Sequence, residues 1–230
     1  MKKQYIAALC ALLCASCVAT TGREFARPTE QSIALGTSNS AQIRTTYGEP
    51  YEQNTETVSR EATAGAASPF DAAPMEGTVV LYTYFLRESQ APINGGGSTV
   101  KWVDFVFLND KLYVYNYVSN FQSGSTQFDE SKLAQLKKKK STKQDVVSLL
   151  GEPGGRAIYP FVLLPGTEKY LYKYFEIEPA SNKLKSKGVE LLFDQHGILI
   201  DFRFASQSKA LPNPAPAPAP VFIPMPVPAR

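Results

Sequence analysis

The sequence predicts an α+β protein of two tandem lobes, each a helix pair packed on a small antiparallel sheet. Two observations lead to this prediction. A pattern of small polar residues, a short amphipathic run and Gly-Glu-Pro occurs twice, ending at Pro50 and at Pro153. Each copy precedes runs of β-branched and aromatic residues, which are typical of strands. A repeated unit of this kind predicts two copies of one structure in the chain.

Each copy of the pattern marks where a helix begins and ends. Hydroxyl side chains, such as those of Ser141 and Thr142, can accept hydrogen bonds from the N–H groups of a first helical turn. Gly48 and Gly151 suit the left-handed position after a helix, and the prolines that follow cannot continue it. A further helix is expected at residues 129–136, where acidic residues precede basic ones, as the helix dipole favours.

Alternation of side chains along the strands predicts which face of each sheet is buried. In the last strand the core set is Ile198, Ile200, Phe202 and Phe204. The first lobe contains a corresponding hairpin, whose turn is Asn109-Asp110. The same register there predicts that these residues face the core: Leu112, Val114, Asn116 and Val118. Asp104, Thr83 and Lys173 then lie on the open side. The aromatic side chains expected to be exposed there are Trp102, Tyr113, Tyr115, Tyr117 and Phe85.

The N-terminus resembles the signal peptide of a bacterial lipoprotein. Two lysines precede an apolar run of about ten residues, which is too short to cross a bilayer. Small residues then lead to Cys17, so that residues 1–16 are expected to be removed and Cys17 to carry the lipid. This predicts an outer-membrane protein facing the periplasm. The alternative is ordinary secretory cleavage near Ala19.

The remaining segments follow from composition. Residues 17–31 are expected to be a polar tether, residues 32–120 the first lobe and residues 127–206 the second. Residues 51–77 are rich in Ala, Ser, Thr and Glu and are expected to be a flexible insert. Residues 207–230 are rich in proline and are expected to be a disordered tail, either a spacer or a docking peptide.

The residue inventory argues against catalysis and metal binding. The only histidine is His196, in a predicted turn, and the three cysteines all lie at or before residue 17. No catalytic or phosphate-binding motif is present. A net charge of +3 is too small to indicate a nucleic-acid partner. The sequence therefore predicts a protein that is not an enzyme and has no cofactor and no metal.

Two resemblances add to these predictions. Leu133, Ser141-Thr142 and the run to Gly151-Glu152-Pro153, followed by tyrosine-rich and Phe-Asp-x-x-Gly strands, resemble the SmpA/OmlA (BamE-like) lipoprotein family. The tandem arrangement also resembles the β-lactamase inhibitor protein family (BLIP). The first resemblance implies an accessory role in outer-membrane β-barrel assembly, and the second implies a target held on an aromatic-lined sheet.

Together these observations predict a lipid-anchored outer-membrane protein that binds envelope proteins, in barrel assembly or envelope integrity. The alternative is a BLIP-like inhibitor or ligand-binding protein that uses the aromatic open face of its sheet. Two other arrangements would hide that face: contact between the lobes, or cover by residues 51–77.

Overall fold

A computed structural model of the chain describes residues 18–61, 68–89, 98–178 and 183–211. These residues form one antiparallel sheet of nine strands, with three short helices among them. The strands are β1 (Ala19–Gly22), β2 (Glu52–Arg60), β3 (Met75–Ser89), β4 (Ser98–Leu108), β5 (Lys111–Ser119), β6 (Gly155–Ile158), β7 (Glu168–Glu178), β8 (Lys183–Phe193) and β9 (Leu199–Ala210). The helices are α1 (Ser40–Tyr47), a 3-10 helix (Glu130–Gln135) and α2 (Lys143–Leu150).

The predicted fold class is therefore wrong. The two copies of the repeat are not separate α+β lobes with helix pairs, because their strands belong to a single sheet in the order β1-β3-β4-β5-β6-β7-β8-β9. Strand β6 joins the copies: it pairs with β5 on one side and with β7 on the other. Gly155 allows this join, since a Cβ atom there would lie 2.4 Å from the carbonyl oxygen of Tyr115. The predicted segment boundaries stay predictions.

The two repeated helices are confirmed. The Asn39 side chain accepts from the Gln42 N–H at 2.9 Å, and the Gln42 side chain accepts from the Asn39 N–H at 3.0 Å. Thr142 and Asp145 form the same reciprocal pair at the start of α2. Each helix then ends at a glycine with positive φ, 76° in the first copy and 82° in the second.

The duplication is also visible in how each helix is held to the sheet. The Tyr84 hydroxyl on β3 donates to the carbonyl oxygen of Gly48 at 2.8 Å. The Tyr172 hydroxyl on β7 donates to the carbonyl oxygen of Gly151, also at 2.8 Å. Because these bonds are equivalent, Tyr84 corresponds to Tyr172, and each copy fastens its helix end to the sheet by the same contact.

The helices cover one face of the sheet, which we call the helix-covered face. One buried cluster lies under α1 and is built from β3, β4 and β5, and it includes Tyr82, Phe105 and Leu112. A second lies under α2 and the 3-10 helix, with Tyr170, Val189 and Leu199 among its members. The two clusters lie side by side on one sheet, because β5 pairs with β6 and β6 pairs with β7.

Two β-bulges correct the predicted faces. The register shifts between Val106 and Phe107 in the β4–β5 pair, and between Leu192 and Phe193 in the β8–β9 pair. An extra residue moves the side chains on one side of it to the other face. Tyr115 and Tyr117, predicted to be exposed, are therefore buried on the helix-covered face, where the N-terminal segment at residues 25–31 lies against them. Leu199 takes the core place predicted for its neighbours Ile198 and Ile200.

Three predicted segments contain more structure than expected. The insert at residues 51–77 includes strand β2, which pairs along β3, and Phe70, which is buried. The tether includes strand β1 and the buried Phe25. Strand β9 continues to Ala210, so that the described part of the tail begins as a strand. The signal peptide, Cys17 and residues 212–230 lie outside the described residues.

The second face of the sheet, which we call the open face, is only partly covered. Phe70 and Val162 pack on it over Ala157 and Leu192, so the loops before β3 and before β7 close one region. The remaining region spans β2 to β5 and the neighbouring parts of β7, β8 and β9. None of the helices in the described ranges is long and apolar enough to cross a membrane.

Candidate binding face

A row of oxygen-bearing side chains crosses the open face. Glu52 pairs with Thr83, Thr83 with Asp104, and Asp104 with Asn116, along the registers of β2, β3, β4 and β5. Side chains of directly paired residues lie on the same face of a sheet. The row thus places two carboxyl groups, a hydroxyl and an amide next to one another, and we call these four residues the acceptor row.

Aromatic side chains lie beside the acceptor row. Two residues along the strands from Thr83, Asp104 and Asn116, Phe85 pairs with Trp102, and Trp102 pairs with Val118. The rings of Trp102 and Phe175 have centroids 5.1 Å apart, and those of Tyr51 and Phe85 are 5.5 Å apart. Both separations are within the range of favourable aromatic pairs. We call Phe85, Trp102 and Phe175 the aromatic row.

The aromatic row borders a groove. The groove has a volume of about 400 Å³ and extends from β4 across β7 to β9. Its lining includes Trp102, Val118, Lys173, Phe175, Gly188 and Ala205. Gly188 and Ala205 pair with each other and bring no large side chain above the sheet, so that the groove has space over β8 and β9.

The polar atoms of the acceptor row are poorly solvated. Burial raises the pKa of Asp104, while the hydroxyl of Thr83, the charge of Lys173, and the Asn116 and Trp102 side chains act in the opposite direction. The Thr83 hydroxyl donates to the Asp104 carboxylate at 2.8 Å. Asn116 is 9% exposed, and within the described ranges its Oδ1 is buried without a hydrogen-bond donor. A buried acceptor without a donor is rare in folded proteins.

The structure separates the five aromatic residues that the sequence analysis places on one surface. Trp102 and Phe85 lie on the open face, as predicted, but they are half-buried and not fully exposed. Tyr113 lies at the bulge, with its ring 6.1 Å from that of Phe161. Tyr115 is 6% exposed and Tyr117 is 2% exposed, and both lie on the helix-covered face, so their predicted exposure is wrong.

Sequence reasoning missed three residues of this face. Glu52 lies in the segment expected to be a flexible insert and received no role. Asn116 was predicted to face the core, and the bulge near Val106 reverses that assignment. Phe175 received no role, although it is two residues from Lys173, which was placed on the open side. The alternation that placed Lys173 could therefore have found Phe175. Asp104, Thr83 and Lys173 lie on the face predicted for them.

A charge cluster lies on the helix-covered face, between the two copies. Glu168 accepts from Lys143 at 2.6 Å and also pairs with Arg156, which binds Glu30 as well. Desolvation opposes ionisation of Glu168, but Arg156 and Lys143 outweigh it and lower the Glu168 pKa. These ions satisfy one another and fasten α2 and the N-terminal segment to the sheet centre, so the cluster is structural.

No arrangement typical of catalysis or metal binding is found in the part of the chain that the structure describes. His196 lies exposed in the turn before β9, with its Nε2 3.2 Å from Gln195 Nε2. Within the same residues no group of three or more His, Cys, Asp or Glu side chains is placed to hold a metal ion.

Comparisons with known proteins give little. No protein-family model matches the chain, and no curated protein matches it. A solved structure from Streptococcus mutans, described as a candidate β-lactamase inhibitor protein, is similar to this chain. The match covers 73% of this chain and 82% of the chain in that structure. The identity is 16% and the TM-score is 0.38, so the likeness is distant. The description of that structure agrees with the resemblance to the β-lactamase inhibitor proteins. None of the comparisons supports the resemblance to the SmpA/OmlA family.

Proposed function

We propose that this chain is a non-enzymatic binding protein that holds a segment of another protein on the open face of its sheet. The observation that carries the proposal is the aromatic row lying beside a buried and unsatisfied acceptor. Aromatic rings bury a large area at small entropic cost, and they are enriched at the centres of protein interfaces. A buried acceptor beside them adds specificity, because only a partner with a matching donor satisfies it.

The shape of the face supports a protein segment as the ligand. The groove is open along its length and is lined by residues of five strands, β4, β5, β7, β8 and β9, so that it can take a loop or an extended peptide. Its lining mixes apolar residues, such as Trp102 and Phe175, with polar ones, such as Lys173 and Gln207, as protein interfaces do. This favours the inhibitor or ligand-binding alternative over an accessory role in barrel assembly.

The location of the protein is a separate part of the proposal. The signal-like N-terminus supports lipidation of Cys17 and anchoring in the outer membrane, facing the periplasm. The anchor would keep the open face near envelope partners. Mass spectrometry of the mature N-terminus tests it: a diacylated Cys17 is expected, and a free N-terminus near Ala19 would contradict it.

The binding proposal is tested by photo-crosslinking in a bacterial host. A benzoylphenylalanine replaces Phe85 on the open face or, as the control, Gln144, which is exposed on α2 on the opposite face. We expect the probe at Phe85 to give an adduct of defined mass, and the adduct to disappear when Trp102→Ala is added. Equal adducts from both positions, or an adduct that survives Trp102→Ala, would contradict the proposal.

The captured protein is then identified by mass spectrometry, purified and titrated with the full chain. We expect Trp102→Ala to weaken binding by about 2 kcal/mol, or roughly 30-fold, as for an aromatic residue at the centre of an interface. If the captured protein is an enzyme, the inhibitor alternative predicts that the wild-type chain lowers its activity and that the variant does not.

A further inference from the structure

The acceptor row also indicates which chemical group of the partner the open face selects. We infer that the acceptor row and the aromatic row together recognise an arginine side chain on the bound segment. This inference rests on the proposed function and names the chemistry of its partner.

The acceptor row supplies oxygens in a line. Glu52, Thr83, Asp104 and Asn116 come from four adjacent strands, which are spaced by roughly 4.8 Å. Asp104 is partly buried, and Asn116 Oδ1 is fully buried without a donor in the described ranges. Thr83 already donates to the Asp104 carboxylate, and the remaining acceptor sites on that carboxylate and on the Asn116 carbonyl favour a ligand that donates several hydrogen bonds and carries positive charge.

The aromatic row selects among such ligands. Trp102 and Phe85 lie two residues along their strands from Asp104 and Thr83, and therefore on the same face. A guanidinium group is planar: it can stack on an aromatic ring while its N–H groups donate in the plane to neighbouring oxygens. A lysine ammonium is a compact point charge that cannot do both. The combination of stacking surface and adjacent acceptors therefore fits arginine.

The charge of Lys173 allows the inference to be tested by the direction in which binding affinity changes when that charge is removed. Lys173 lies in the groove, near enough for its charge to favour the ionised form of Asp104. It therefore repels an arginine that approaches Asp104, and replacing it with methionine should strengthen arginine binding. An anionic ligand would behave in the opposite way, because Lys173 would then attract it.

The experiment uses a displayed library of random peptides, selected on the immobilised full chain. Trp102 is the single tryptophan, so its fluorescence reports binding at this face. We expect the selected peptides that alter Trp102 fluorescence to contain arginine. Replacing that arginine with citrulline, which is neutral and nearly isosteric, should weaken binding of the peptide by about tenfold or more, because the charge-assisted hydrogen bonds are lost.

Variants of the chain complete the test. Asp104→Asn should weaken the arginine peptide by about tenfold, and Lys173→Met should strengthen it. Glu176→Gln, which alters an exposed acid at a β7 position that alternates with Phe175 and Lys173, is the matched control and should leave binding unchanged. Because Lys173 is exposed, its variant remains informative if Asp104→Asn fails to fold.

The outcomes separate the inference from the proposed function. Peptides that require Trp102 but bind equally well with citrulline, or that lose affinity with Lys173→Met, overturn the inference and leave the binding face in place. Peptides that bind equally well to the Trp102→Ala chain overturn the inference as well, and they count against the proposed function itself.

Discussion

Replacing Tyr115 with alanine tests the assignment of the two faces of the sheet. Alternation alone places Tyr115 beside Trp102 on an exposed surface, whereas the structure buries it on the helix-covered face at 6% exposure. A buried aromatic side chain removes about 150–250 Å² from water. At about 25 cal/mol per Å² this is roughly 4–6 kcal/mol, and alanine substitutions of buried aromatic residues cost about 3–5 kcal/mol.

The loss is measurable by urea unfolding followed by far-UV circular dichroism. With a denaturant slope of about 2 kcal/mol per molar urea, a loss of about 4 kcal/mol lowers the midpoint by roughly 2 M. Trp102→Ala removes a half-buried ring and should cost about half as much. Circular dichroism is the suitable probe, because Trp102→Ala removes the single tryptophan.

The control for this prediction is Tyr115→Phe, which keeps the ring in the core and should change stability by less than about 1 kcal/mol. The reasoning would be refuted if Tyr115→Ala left the midpoint near that of the wild-type chain, or lowered it less than Trp102→Ala does. Either result would place Tyr115 on an exposed surface.

Three further predictions concern the helix anchors, the charge cluster and the lipid. Tyr84→Phe and Tyr172→Phe should each cost about 1 kcal/mol in unfolding free energy, and the costs should add because the two bonds lie in separate clusters. Glu168→Gln should cost about 3 kcal/mol at neutral pH. Since the folded-state pKa of Glu168 is lowered, its contribution is present above its ordinary value of 4.5 and is lost as pH falls below it, so a pH series of unfolding curves should show less acid sensitivity in the variant. Cys17→Ala should abolish incorporation of labelled fatty acid; persistence of the label would contradict lipidation at Cys17.

Local signals in the sequence predicted the helices correctly. Thr142 caps α2, and Gly48 and Gly151 end the two helices, as predicted; α1 is capped by Asn39, which follows the hydroxyl residues expected to cap it. Each of these signals acts within a few residues of the chain. The hairpin at Asn109-Asp110 was predicted for the same reason: both residues tolerate the positive φ angles of 48° and 61° that the turn requires.

The sequence could not reveal that the repeats share one sheet. Strand β6 (Gly155–Ile158) is four residues long and begins with glycine, so it carries no strand-like run of β-branched residues. Strand β2 is polar on both faces and exposed along nearly all of its length, a pattern that composition also associates with disorder. Both strands form because their neighbours in the sheet offer backbone partners, which is tertiary information.

The binding face was predicted in part, and a single residue accounts for most of the error. Asp104, Trp102 and Phe85 lie before the bulge, and alternation placed them correctly. After the bulge, near Tyr113, the alternation continues with its faces exchanged, which moved Tyr115 and Asn116 to the wrong sides. A bulge has no fixed residue signature in one sequence, so this exchange could not be predicted.

The most direct test of the proposed binding face compares dissociation constants for the crosslinked partner, once it has been purified. The comparison uses the full chain, Trp102→Ala on the open face and Gln144→Ala on the exposed side of α2. We expect Trp102→Ala to weaken binding by roughly 30-fold and Gln144→Ala to leave it unchanged. Equal affinities for all three proteins, or a loss confined to Gln144→Ala, would contradict the proposal.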